Sequence, residues 1–136
     1  MTRVTLPEAL KKQILTEAGQ AFPGECCGLV EGLRLEGGDE FQVTALHPAR
    51  NLTAALDRFE IEPRDHIAAH RLARANGRAL IGCYHSHPNG RAEPSATDLA
   101  GAAEEDFLWL IAAGDRIAAF VYRRGEFRGA GGISPE

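Results

Sequence analysis

Apolar residues recur along the chain with two different spacings, which separate predicted helices from predicted strands. Apolar positions at helical spacing predict an amphipathic helix over residues 6–20, with Thr5 as its cap. The same spacing predicts a second helix over Pro63–Ala75. A third helix is predicted to begin at Ser95, which is followed three residues later by an acidic residue.

Short apolar runs bounded by turn residues predict the strands. These runs cover residues 26–30, 41–46, 58–61, 79–87, Phe107–Ala113, 117–122 and Glu126–Gly129. Residues 131–136 have the composition of a loose tail. The order of helices and strands predicts an α/β fold, in which a single mixed β-sheet packs against helices. A length of 136 residues fits one domain spanning residues 1–136.

Composition narrows the classes of protein to consider. With 44% hydrophobic and 25% charged residues, the chain has the makeup of a globular protein. A net charge of -4 argues against a nucleic-acid partner, and no apolar run is long enough for a membrane span or a secretory signal. The three cysteines are an odd number, with Cys26 and Cys27 adjacent, which suits a reducing, cytoplasmic location better than a disulfide framework.

The stretch from His85 to Asp98 holds the residues with the clearest chemistry. His85 and His87 are two apart on a predicted strand, so both imidazoles face the same side. Asp98 lies in the first turn of the next predicted helix, beyond a loop with two prolines and a glycine. Two nitrogens and one oxygen form a set typical of zinc, and three protein ligands leave the fourth tetrahedral position for water. The pattern predicts one Zn2+ ion with a bound water.

Each part of this pattern also has a structural interpretation. Ser95-x-x-Asp98 is a helix capping box, which by itself needs no metal. A His-x-His pair on a strand is more often two unrelated histidines when no other ligand accompanies it. The conjunction of all four residues at set intervals favours the metal site. Capping and metal binding are compatible, because a cap would orient both Ser95 and Asp98.

The stretch matches the signature of the JAMM (MPN-plus) metalloproteases: His-x-His, seven residues, then Ser-x-x-Asp. The segment Pro-Gly-Glu-Cys-Cys-Gly-Leu around Glu25 also resembles the family's segment with the catalytic glutamate. This resemblance implies a cytidine-deaminase-like JAMM/MPN fold of the compact prokaryotic type. It further implies Glu25 as general base, Ser95 as a hydrogen-bond partner in the transition state, and His85, His87 and Asp98 as zinc ligands.

The resemblance implies a zinc metallopeptidase or isopeptidase that cuts after the C-terminal glycine of a ubiquitin-like or sulfur-carrier protein. Two other function classes stay open: a carrier-processing enzyme in cysteine or cofactor sulfur-transfer biosynthesis, and a non-catalytic scaffold that keeps a metal. An extended carrier tail would bind along a sheet edge, and residues 51–62 and 89–93 are candidate walls of that groove. The sequence determines neither the oligomeric state nor other substrate-binding residues.

Other residues compete for a site. Cys83 shares the predicted strand face of the histidines, but a buried apolar thiol is its better interpretation. His66 and His70 are one helical turn apart, which is also expected of a solvated helix face. A zinc deaminase needs a glutamate where Ser86 stands, together with a Cys-x-x-Cys pair that this chain lacks.

Overall fold

The computed structural model describes residues 2–136, except the side chain of Glu36. The strands are β1 (Arg3–Thr5), β2 (Cys27–Leu35), β3 (Glu40–Ala49), β4 (Ala79–Ser86), β5 (Phe107–Ala113), β6 (Arg116–Arg123), β7 (Glu126–Gly129) and β8 (Ile133–Ser134). The helices are α1 (Glu8–Ala21), α2 (Pro63–Ala75) and α3 (Ala96–Gly101), and a 3-10 turn covers Glu36–Gly38. The predicted α/β class is confirmed.

All the strands belong to one mixed sheet with the order β7-β6-β5-β4-β2-β3-β1-β8. The central strand β4 pairs antiparallel with β2 and parallel with β5. Strand β1 pairs parallel with β3 and with β8. None of the helices among the described residues combines the length and apolar character that a membrane crossing needs.

Helices cover both faces of the sheet, so its central strands are apolar on both sides. On one face Val30, Tyr84 and Leu110 belong to a core that includes Ile14 of α1. On the other face Leu29, Cys83 and Trp109 pack with Ala69 of α2. The end of β4 lies between these two cores, which is where the histidines are found.

Helix α1 begins later than its hydrophobic spacing predicts, and the prediction of Thr5 as its cap is wrong. Thr5 belongs to β1, where it pairs with Gln42 of β3 and Ser134 of β8. Pro7 occupies the cap position and provides no side-chain hydrogen bond. Ladder pairing with strands distant in sequence therefore overrides the local capping pattern.

The predictions of a strand over residues 58–61 and of a loose tail at the C-terminal end also fail. Residues 58–61 form no strand, and only Ile61 makes an isolated bridge, to Asn51. The predicted loose tail contains β8, whose Ile133 packs partly buried against the core. Strands of two or three residues carry no readable period, since their existence depends on a neighbouring edge that local sequence does not show.

Tyr84 ties α1 to the centre of the sheet. Its ring is fully buried, and its hydroxyl donates a 2.6 Å hydrogen bond to Glu17 of α1. The ring lies across Gly28 on the neighbouring strand, where a Cβ atom would overlap the ring atoms. Gly28 is therefore required by packing, three residues after Glu25.

We expect Gly28→Ala to lower the free energy of unfolding by about 1–3 kcal/mol, because the added methyl group overpacks the core against Tyr84. Thermal or denaturant unfolding measures the change. Gly19→Ala is the matched control. Gly19 lies within α1, and a Cβ atom at this position would meet no neighbouring atom within 4 Å. That variant should gain about 0.5–1 kcal/mol from helix propensity. Equal stability of the two variants would contradict the packing argument.

Candidate metal centre

The end of β4 and the first turn of α3 bring three ligand-type side chains to one point. Nε2 of His85 lies 2.9 Å from Nε2 of His87. Oδ2 of Asp98 lies 3.1 Å from the first nitrogen and 3.0 Å from the second. All three side chains are buried. The structure therefore brings together the three residues that the sequence pattern predicts as ligands.

The Ser95–Asp98 pair is also a capping box, as the structural interpretation of the sequence predicted. The Ser95 amide donates to Oδ2 of Asp98, and the Asp98 amide donates to Oγ of Ser95, each at 3.0 Å. The atom of Asp98 that caps the helix is the one that approaches the histidines. The cap thus aims the carboxylate at the histidines, and Oγ of Ser95, which accepts that bond, keeps its own hydrogen to donate.

The surroundings of the imidazoles fix their orientation. Nδ1 of His87 lies 2.8 Å from the carbonyl oxygen of Arg91, so the ring donates there and presents the Nε2 lone pair to the centre. The His85 ring stacks on Phe59 with a centroid distance of 4.4 Å and meets Trp109 edge-on at 5.7 Å. Nδ1 of His85 is buried and has no partner among the described residues.

Burial and hydrogen bonding set the charge states. Burial alone would raise the pKa of Asp98, but its close contacts with the ring nitrogens of His85 and His87 outweigh burial and hold that pKa well below its usual range. Burial lowers the pKa of His85, which keeps its imidazole neutral. An ionised carboxylate beside a neutral imidazole is the protonation state that metal ligation needs.

Glu25 is the fourth ionisable group at this point. One of its carboxylate oxygens lies within 4.8 Å of ring nitrogens of His85 and His87. Burial raises its pKa to about 7, Asp98 adds to the rise, and His87 opposes it. Oε1 is buried and has no hydrogen-bond partner among the described residues. A buried carboxylate without a partner is costly, so it is typical of a group that acts on a ligand.

Interatomic distances distinguish the three candidate ligands from Glu25. Bonds of 2.0–2.1 Å in a tetrahedral arrangement place ligand atoms roughly 3.3 Å apart. The contacts of 2.9–3.1 Å among His85, His87 and Asp98 come close to that spacing. Glu25 belongs to a looser cluster with the two histidines, which places it beside the three candidate ligands rather than among them. The donor set therefore fits a metal ion with an open position.

The competing residues do not join the centre. Cys83 is buried on the face of the histidines, where burial raises the pKa of its thiol well above the usual value. His66 and His70 stack with their ring centroids 6.0 Å apart on α2. Cys26 and Cys27 are free and buried. Among the described residues, the cluster of side chains that could hold a metal ion contains none of these residues.

A cavity of about 300 Å³ adjoins the centre on the side of Asp98. Its apolar walls include Leu29, Phe59, Ile61, Phe107 and Trp109. Its lining runs along β5 from Trp109 to Phe107 and includes Cys83 of β4. The centre thus opens into an apolar trough whose walls come from distant segments.

Sequence reasoning missed two residues that shape the centre. It placed residues 51–62 beside the metal only as a candidate groove wall, without assigning roles within the segment. The structure shows Phe59 of that segment stacked on His85, and Asn51 hydrogen-bonded to the carbonyl oxygen of Glu25 at 3.1 Å. Neither residue belongs to a spacing pattern. The only signal was the position of the segment after a strand.

Comparison with known proteins agrees with this geometry. The domain described as prokaryotic homologs of the JAB domain matches residues 7–124. A desampylase of Haloferax volcanii is 31% identical over 133 residues, which cover 93% of each chain. Tail tip assembly protein K of Escherichia phage N15 is 31% identical over 99 residues, covering 72% of this chain and 36% of that protein.

Two solution structures share the fold. Protein DSY2949 from Desulfitobacterium hafniense superposes with a TM-score of 0.85 at 29% identity, over 98% of this chain and 94% of that chain. A protein from Salinibacter ruber gives a TM-score of 0.72 at 31% identity, over 100% and 92%. Because the domain match covers most of the chain and includes the ligand motif, this protein belongs to the prokaryotic JAB-domain family, the JAMM/MPN-plus type.

Proposed function

We propose that this protein is a zinc-dependent hydrolase that cuts the bond after the C-terminal glycine of a ubiquitin-like or sulfur-carrier protein. The observation that carries the proposal is the convergence of His85, His87 and Asp98 beside the unpartnered carboxylate of Glu25. Similarity to a desampylase along nearly the whole chain supports a peptide-bond or isopeptide-bond hydrolase. A reducing, cytoplasmic setting is part of the same proposal.

The residues divide the work by position. His85, His87 and Asp98 would hold zinc, which when bound lowers the pKa of a coordinated water from 15.7 toward about 7. Glu25, whose pKa is raised to about 7, is suited to accept a proton during attack and to deliver it to the departing amine. Oγ of Ser95 accepts from the Asp98 amide and can donate its own hydrogen to the carbonyl oxygen as charge develops there.

The trough beside Asp98 favours cleavage of an isopeptide bond to a lysine side chain over release of an α-linked C-terminal residue. A released α-amino acid carries its carboxylate one carbon from the amine, whereas a lysine side chain places four methylenes there. The residues that line the trough include the carboxylates of Asp98 and Glu104 and the imidazole of His66, but no lysine or arginine. A free carboxylate would therefore enter a largely apolar space without a lysine or arginine to pair with, while methylenes would contact Phe59 and Ile61 favourably.

Asp98→Asn should abolish stoichiometric zinc binding, because a neutral amide replaces the anionic oxygen that faces both imidazoles. Elemental analysis of the purified protein measures zinc per chain. Asp115→Asn, an exposed turn substitution, is the control and should bind zinc as the unmodified chain does.

A chelator should abolish cleavage of a carrier with a C-terminal extension, and zinc should restore it. Full cleavage by a metal-free preparation would contradict the proposal.

Glu25→Gln should keep the zinc and lose turnover by about 10²–10⁴-fold, because an amide cannot accept the proton. Mass spectrometry of carrier substrates gives the rate and the cut position. Glu8→Gln, at the exposed start of α1, is the matched control. A scaffold that only holds metal would show no cleavage in the unmodified chain and the same partner binding with either residue at position 25.

Ala103→Phe should narrow the trough, since Ala103 is exposed at its rim. We expect slower cleavage of a lysine-linked carrier, by about tenfold or more for lost methylene contacts, with an α-linked extension of the same carrier cut as before. Ala100→Phe, which is exposed on α3 outside the trough lining, is the matched control. Equal losses on both substrates would instead place the carrier tail in the trough, and no loss on either would leave it without a substrate role.

A further inference from the structure

The carboxylate of Glu25 lies close to the histidines, although no bonding partner among the described residues holds it there. Oε1 of Glu25 is buried without a partner, and no hydrogen bond or ion pair from the described residues holds this side chain. Its direction must therefore come from the main chain that carries it. That main chain is held from two sides, by Ser86 and by Asn51.

Ser86 holds the segment through the residue after the glutamate. The Cys26 amide donates to Oγ of Ser86 at 2.8 Å, and the Ser86 amide donates to the carbonyl oxygen of Cys26 at 3.2 Å. These bonds lie just beyond the end of the β2–β4 ladder, which begins at the pair of Cys27 and His85. They leave the carbonyl of Glu25 itself to be satisfied by another group.

Asn51 satisfies that carbonyl. Its Nδ2 donates to the Glu25 oxygen at 3.1 Å and lies 3.5 Å from the oxygen of Arg58. Its Oδ1 accepts from the amides of Thr53 at 3.2 Å and Glu60 at 2.9 Å. Two carbonyls on one side and two amides on the other make the orientation of this carboxamide unambiguous.

The same residue closes the segment that covers the centre. Asn51 bridges to Ile61, and the Leu52 amide donates to the carbonyl of Glu60 at 2.8 Å. Phe59 within this closed segment stacks on His85. One carboxamide therefore joins the main chain of Glu25 to the segment that packs on a metal ligand.

We propose that Asn51 is a positioning residue for Glu25, and that its Nδ2 donor aims the base while its Oδ1 acceptor holds the covering segment. The proposal rests on the proposed function for its kinetic consequence only. The two halves of the carboxamide have separate tasks, so a substitution that removes one half and keeps the other separates them.

Asn51→Asp is that substitution. A carboxylate still accepts from the amides of Thr53 and Glu60, and more strongly than an amide does, but it cannot donate to Glu25. We expect the covering segment to stay in place and the glutamate to lose its alignment. A displacement of the base of about 1 Å is enough to lower kcat by about 10²-fold, while KM for a carrier substrate should change by less than about threefold.

Amide hydrogen exchange tests the proposal without any activity. The carbonyl of Glu25 and the amide of Cys26 belong to one peptide group, so loss of the bond from Asn51 should loosen both. In Asn51→Asp the Cys26 amide should therefore exchange about tenfold faster or more, while the Thr53 and Glu60 amides should exchange no faster than before. Unchanged protection at Cys26 would overturn the proposal. If the unmodified chain cleaved no carrier, the proposed function would fail, and this measurement would still decide the role of Asn51.

Controls separate positioning from a general loss of structure. Gln42→Glu makes the same amide-to-carboxylate change far from the centre, where Gln42 donates to Glu40 at 3.2 Å, and it should keep kcat. Asn51→Ala adds no charge and should lose kcat in the same direction, which keeps the test valid if Asn51→Asp does not fold. Because the effect acts through Glu25, Asn51→Asp should add little to the loss in Glu25→Gln, and additive losses would contradict the proposal.

Discussion

One carboxylate oxygen organises the end of the central strand. Oδ2 of Asp98 caps α3 through the Ser95 amide and lies 3.0–3.1 Å from the facing nitrogens of His85 and His87. A buried, unpaired carboxylate costs several kcal/mol by order of magnitude, and here the cap and the imidazoles offset that cost. The interaction that starts α3 is therefore the one that ties α3 to β4, and the chemistry depends on this coincidence.

The two cores hold this point from opposite sides. Tyr84 anchors β4 to α1 on one face and needs Gly28 to make room for its ring. On the other face Phe59 and Trp109 pack around His85 and form the start of the apolar trough. At Nδ1 the ring of His85 is held by packing rather than by a hydrogen bond, because this nitrogen has no partner among the described residues. Packing at this strand thus determines both the arrangement of the candidate ligand side chains and the shape of the space beside them.

Much of the fold was readable because apolar spacing and the turn residues that bound each run are local signals. The predicted bounds of α2, β5 and β7 agree with the structure residue for residue. Predictions failed where elements are short or where pairing with a neighbouring strand decides the conformation. These places are Thr5, residues 58–61 and the C-terminal strand β8. A strand of two or three residues has no period of its own, and a polar residue before a helix can equally well extend an edge strand.

The sequence by itself determined the candidate donor atoms, because the types and spacing of His85, His87 and Asp98 limit what they can bind. It also identified the capping box, whose partners are three residues apart. Only the tertiary structure decided the rest. Glu25 reaches the histidines across the β2–β4 pairing, and Asn51 meets the glutamate's carbonyl from 26 residues away. Such contacts come from strand register and loop closure, which depend on the packing of the whole sheet and leave no local pattern in the chain.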